Sequence, residues 1–157
     1  MKKVRLEPIT PQNFDECIDL KVSEAQTKFV ASNLYSIAQT KVYPDMESFA
    51  VYDNGQMVGF VMFGFSVNFK RYYLVRLMVD ERFQGKGYGR AATLEVIERM
   101  RQIEECHQIY LSCVPENTNA ERLYKSIGFG RTGEVNEGGE FLMRFVIENN
   151  ANPKSEI

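Results

Sequence analysis

Between an apolar run, YYLVRLMV (Tyr72–Val79), and an amphipathic stretch beginning near Ala91, the chain reads RFQGKGYGR from Arg82 to Arg90. Three glycines fall within five residues, flanked by cations. A strand that enters such a turn and leaves it as a helix can bend sharply and let a ligand approach the backbone without a Cβ in the way. The first amides of the helix have no partners inside it and lie at the positive end of its dipole. The stretch therefore asks for a sheet strand that ends on a helix N-terminus shaped for an anion, phosphate first. Arg82, Lys86 and Arg90 add positive charge there. That charge is local, because 19 basic and 21 acidic side chains leave a net charge of -2. Such a balance gives no whole-chain attraction to nucleic acid or to an anionic membrane.

The rest of the chain supplies a sheet for that strand. Val4–Pro8 alternates as a short first strand, and Thr10-Pro11 reads as a cap with proline at the first helical position. Phe14, Cys17, Ile18 and Lys21 follow at helical spacing, and a second helix is expected from Asn33 to Lys41. Ser23–Ser32 between them has no dominant period. Ser48–Asp53 reads as a strand, and Asn54-Gly55 is a strong hairpin signal, since a type I′ turn needs positive φ at both central residues. Gln56–Val67 is the return strand, and Tyr72–Val79 completes an antiparallel meander. Ala91–Ile103 is an amphipathic helix, Gln108–Val114 a buried strand, and Thr118–Ile127 a helix closed by Gly128. Phe129–Glu134 and Glu140–Ile147 are the last strands. The order predicts an α/β (α+β) domain, a mixed central β-sheet of about seven strands flanked by about four helices. It spans 1–148, with a polar, flexible tail over 149–157.

A chain of 157 residues fits one domain and buries roughly 70% of its unfolded surface, so it needs no staple. Cys17, Cys106 and Cys113 are odd in number and lack CxxC spacing, as expected of reduced, buried thiols. With His107 the only histidine, no metal ligand set is present, and His107 reads as a loop or strand-edge residue. The N-terminal MKKVRLEPIT has no apolar core of signal-peptide length, and no window approaches a membrane span. The chain reads as cytoplasmic, with no membrane or nucleic-acid partner.

The glycine turn lacks the GxxxxGK[ST] of a Walker A loop, and its spacing and mid-chain place do not fit the GxGxxG dinucleotide fingerprint. Gln84-Gly85-Lys86-Gly87-Tyr88-Gly89 does match the acyl-CoA loop of the GNAT acetyltransferases, Gln or Arg, two residues, Gly, one residue, Gly or Ala. Pro115-Glu-Asn117-Thr-Asn119-Ala120-Glu-Arg-Leu123-Tyr124-Lys-Ser-Ile-Gly128-Phe129 resembles the second GNAT signature. With both in order, nearly the whole chain resembles this family. The resemblance implies the GNAT fold and direct transfer of an acetyl group from acetyl-CoA to a primary amine, with CoA as product. It implies that Leu77, Met78 and Val79 pair with the pantetheine arm like an added strand. The amides of Gly85, Lys86, Gly87, Tyr88, Gly89 and Arg90 take the pyrophosphate behind Gln84, and Asn117 touches the cofactor arm. The same resemblance implies that Tyr124 is the catalytic residue, a proton donor to the departing thiolate, and that Lys125 and Ser126 border the cofactor. Many relatives carry a glutamate base on the strand before the loop; here that strand carries Arg76 and no carboxylate. A water chain to Glu24, or the carbonyls of the strand, are the alternatives.

Val22–Gln39 resembles the acceptor-side helices of bacterial spermine/spermidine (diamine) N-acetyltransferases, with Gln26, Phe29-Val30, Asn33, Ser36 and Ala38. A polyamine needs carboxylates and aromatic faces. The expected acceptor residues are Glu24, Phe29, Asn33 and Tyr35, with Asp45, Glu47 and Asp53 as further carboxylates and Tyr43, Phe63 and Phe65 as further aromatics. Other acceptors stay open: a protein N-terminus, an aminoglycoside or an amino-acid derivative. So does a non-catalytic acyl-CoA-binding module. The resemblance also implies a homodimer.

Overall fold

The computed structural model describes residues 1–148; the 149–157 stretch expected to be a flexible tail lies outside the described residues. The strands are β1 (Arg5–Pro8), β2 (Met46–Asp53), β3 (Gln56–Ser66), β4 (Arg71–Val79), β5 (Gln108–Cys113), β6 (Gly130–Val135) and β7 (Phe141–Val146). The α-helices are α1 (Phe14–Asp19), α2 (Asn33–Val42), α3 (Tyr88–Arg101) and α4 (Thr118–Ile127). The strands form one seven-stranded sheet in the order β1-β2-β3-β4-β5-β7-β6. Every neighbouring pair is antiparallel except β4 and β5. This is the mixed sheet the sequence predicts.

Burial on both faces explains why β3 reads as an almost unbroken apolar run. Val58, Val61 and Phe63 enter a core with Val96, Ile97 and Met100 of α3. Met57, Phe60 and Met62 enter a second core with Cys17 of α1, Leu20 and Met78. Among the described residues no helix is long and apolar enough to cross a membrane, and no cluster of His, Cys, Asp and Glu could hold a metal. Cys17, Cys106 and Cys113 are free and buried.

Local chemistry decides the turns. Asn54 and Gly55 have φ of 46° and 81°, the positive pair of a type I′ hairpin. The first helix starts later than expected. Asn13 Oδ1 accepts the Thr10 amide at 2.7 Å, so Pro11 sits in the preceding turn and Asn13 becomes the cap. Conversely, α3 starts inside the glycine stretch, because Gly87 takes a left-handed φ of 89° as its cap. The unpatterned Ser23–Ser32 stretch contains a 3-10 turn, Glu24–Gln26, closed by a Ser23/Gln26 capping box.

One irregularity shapes the site. Met62 pairs with Arg76 but Phe63 pairs with Leu74, so Val75 is an extra residue on β4. Such a bulge re-aims the side chains beside it. The Arg76 guanidinium consequently reaches Gln39 of α2, with Nη2 donating to Oε1 at 3.2 Å.

Candidate active site

The parallel β4–β5 ladder consists of Tyr72–Ile109 and Tyr73–Tyr110 alone. Beyond it the strands part, and a cleft of about 950 Å³ opens between them. Leu74–Val79 line one wall and Leu111–Val114 the other, and the glycine loop and α4 lie at its sides. Among the described residues no strand lies beside the backbone donors and acceptors of this β4 edge, a place where an extended amide-bearing chain can pair.

The loop at the mouth is built for an anion. Gly85 and Gly87 hold φ of 74° and 89°, which other residues avoid. Among the described residues no acceptor meets the amides from Gly85 to Arg90; the first amide bonded back is that of Ala91, to the Gly87 carbonyl at 3.1 Å. Asp80 fixes the approach to the loop, accepting from the Arg82 side chain at 2.7 Å and from the Lys21 amide at 3.1 Å. Burial pushes the Asp80 carboxyl up, but the Arg82 side chain and the Arg82 and Lys21 amides outweigh it and hold the carboxyl below its ordinary value. Gln84 Nε2 donates to the Val79 carbonyl and to Gln26 Oε1, both at 2.9 Å, tying the loop to the 3-10 turn.

Of the cofactor residues expected from sequence, Leu77, Met78, Val79, Gln84, Gly85, Gly87, Tyr88, Gly89, Arg90, Asn117 and Tyr124 line the cleft. Tyr88 does so beside the loop while its hydroxyl donates to Asp53 Oδ2. Asn117 caps α4 through Oδ1, which accepts the Ala120 amide at 3.3 Å. Lys86, Lys125 and Ser126 stand outside the lining. Lys86 lies 5.8 Å from the Phe83 ring centroid, and Lys125 pairs with Glu121 at 2.8 Å. Ser126 touches the site indirectly, accepting from Arg90 Nη1 at 3.1 Å.

On the acceptor side Phe29 lines the cleft, whereas Glu24, Asn33 and Tyr35 do not. Asn33 is buried, and its amide donates to the Cys17 carbonyl at 2.9 Å, fastening α2 to α1. Tyr35 is exposed, close enough to Arg76 to favour its charge. Burial pulls the Arg76 guanidinium below its ordinary value, partly opposed by Tyr35 and Glu140. Its Nε is buried without a partner among the described residues.

Tyr124 projects from α4 with its ring edge-on to Phe129, centroids 5.6 Å apart. No described residue bonds its hydroxyl at the cleft. Burial, and then the Cys113 thiol, push its pKa above the ordinary phenol value, so it stays a neutral O–H donor. The sequence reading missed Glu140, the one carboxylate in the lining among the described residues, because only the pairing of β7 with β5 brings it there.

The family model described as "Acetyltransferase (GNAT) family" matches residues 14–129. The spermine/spermidine N(1)-acetyltransferase of Bacillus subtilis (strain 168) is 31% identical over 146 residues, covering 89% of this chain and 96% of that one. Two solved structures share the fold. One is spermidine N-acetyltransferase from Vibrio cholerae in complex with CoA and spermine, with a TM-score of 0.71 at 18% identity over 92% of this chain and 95% of that one. The other is the PaiA N-acetyltransferase from Thermoplasma acidophilum in complex with coenzyme A, with a TM-score of 0.69 at 15% identity over 93% of this chain and all of that one.

Proposed function

The chain belongs to the acetyltransferase (GNAT) family, and we propose that it acetylates a primary amine of a polyamine. The observation that carries this acceptor is the likeness to the Bacillus spermine/spermidine enzyme along 89% of the chain. Acetyl-CoA supplies the activated acetyl group as a thioester. The site fits it: the unpaired amides from Gly85 to Arg90 suit a pyrophosphate, and the free β4 edge suits the amides of a pantetheine arm.

In this reading the loop amides and Arg90 hold the phosphates, and Asn117 keeps its side-chain NH₂ for the arm while Oδ1 caps α4. Leu77–Val79 orient the thioester toward the open end of the wedge. As the amine nitrogen bonds the acetyl carbon and the C–S bond breaks, the nitrogen loses a proton to water and Tyr124 gives its own to the sulfur that leaves; its raised pKa keeps that proton available at neutral pH. The acceptor enters beside Phe29 and Arg76. The enzyme works in the cytoplasm as a homodimer, and exposed Val135 and Val146 at the β6–β7 edge are the surface proposed for pairing.

Arg76 favours a second reading. A guanidinium lining the acceptor side of the cleft suits an acceptor carrying a carboxylate or carbonyl, such as an amino-acid derivative. CoA release with spermidine, spermine and putrescine, beside an amino acid, a lysine peptide and an aminoglycoside, separates the two. Turnover confined to polyamines supports the first reading; turnover confined to the carboxylate-bearing acceptors replaces it with the second.

A further inference from the structure

A polyamine keeps at least one ammonium charged while another of its amines reacts, and that charge must be met. The charged side chains of the cleft lining are Lys28, Arg76, Arg90 and Glu140. Three of them repel an ammonium. The other carboxylates suggested by the sequence are elsewhere or engaged. Glu24, Asp45 and Glu47 lie outside the lining, and Asp53 accepts from the Tyr88 hydroxyl with Lys2 3.9 Å away.

Glu140 is held for the task. It stands just before β7, beyond Cys113 at the opened end of β5. Its Oε2 accepts from Ser112 Oγ at 2.8 Å and from Asn136 Nδ2 at 3.0 Å, and its amide donates to Asn136 Oδ1 at 3.0 Å. Oε1 has no donor among the described residues. One oxygen is thus anchored and the other left over, so binding a cation there orders little that is not already ordered. Arg76 on β4 and Glu140 beyond β5 interact electrostatically. A cation entering the wedge is pushed from one wall toward the other.

We propose that Glu140 receives a non-reacting ammonium of the polyamine acceptor and thereby selects diamines and longer polyamines over monoamines. This rests on the polyamine reading above. The test compares putrescine and spermidine with butylamine, whose tail has no second charge, in the wild type, Glu140→Gln, Ser112→Ala and Asn136→Ala. In Glu140→Gln the KM for putrescine and spermidine rises about tenfold or more, as loss of a charge-assisted bond requires. The KM for butylamine and the affinity for acetyl-CoA stay near wild type. Ser112→Ala and Asn136→Ala, which loosen the carboxylate without removing it, shift the same discrimination in the same direction by less. They carry the test if Glu140→Gln does not fold. A wild type that turns over polyamines with a diamine preference unaltered by these substitutions overturns this inference alone. A wild type that turns over no polyamine overturns the acceptor reading and this inference with it.

Discussion

Tyr73 and Tyr110 form the last pair of the parallel β4–β5 ladder, their ring centroids 5.9 Å apart, and the two strands diverge immediately beyond them. The Phe69 ring lies tilted against Tyr73 with centroids 5.9 Å apart, and the Arg71 guanidinium lies 4.3 Å from the Tyr110 ring centroid. The closed end of the wedge is thus an aromatic clasp, and the open end is bare backbone. Acetyl-CoA is expected to slow amide hydrogen exchange at those donors of 74–79 that face away from β3 and at 85–90, and to leave the β6 amides unchanged. Mass-spectrometric exchange with and without acetyl-CoA checks this. Protection confined to β6 and β7 would place the cofactor elsewhere.

The glycine loop can be tested against a built-in control. Gly85 and Gly55 have similar φ, 74° and 81°, and a Cβ on either meets nothing within 4 Å. Alanine at either position costs about 1 kcal/mol of strain and lowers Tm by about 2–4 °C. Gly85→Ala alone is expected to weaken acetyl-CoA binding, because its methyl projects beside the amides proposed for the pyrophosphate. Calorimetric Kd values for the two variants decide it; equal affinities would remove the loop from the phosphate site.

Where chemistry is local, the sequence was readable. Asn54-Gly55 makes its own turn, Gly128 ends α4 with φ of 127°, and the glycine loop follows a strand as its composition demands. What could not be read depends on distant partners. Asn33 lies four residues before Ile37 on α2, so helical spacing alone does not say whether it faces ligand or core; the Cys17 carbonyl settles it. Arg76 turns toward α2 because Val75 bulges, and no residue pattern announces a bulge. Gln84 meets Gln26 across 58 residues, and Glu140 arrives at the cleft only through the pairing of β7 with β5.

Tyr124 gives a prediction with a sign. A proton donor must hold its proton, and a folded pKa above the ordinary phenol value keeps it protonated to higher pH. Wild-type kcat should therefore show no alkaline fall from this group below pH ~10. Tyr124→Phe should lower kcat by about 10²-fold or more without changing acetyl-CoA affinity. Steady-state rates from pH 6 to 10, with calorimetry for binding, check both. An unchanged kcat in the phenylalanine variant would make Tyr124 a packing residue.

Glu121 joins α4 to β6. Its carboxylate accepts from Arg131 at 2.8 and 2.9 Å and pairs with Lys125 at 2.8 Å. The Arg131 hydrogen bonds, then the Lys125 bond, hold its pKa down to about 2. A depressed carboxylate stabilises the fold above its unfolded value of ~4.3, and that contribution disappears as pH falls through the folded value. Glu121→Gln should then have a lower Tm than wild type at neutral pH. The gap should be steady down to pH ~5 and close as pH approaches 2. Added salt should narrow it at neutral pH, since the cationic partners are exposed. Thermal melts across that range measure the gap directly. A gap that persists at pH 2 would mean that Glu121 holds α4 through its shape and not its charge.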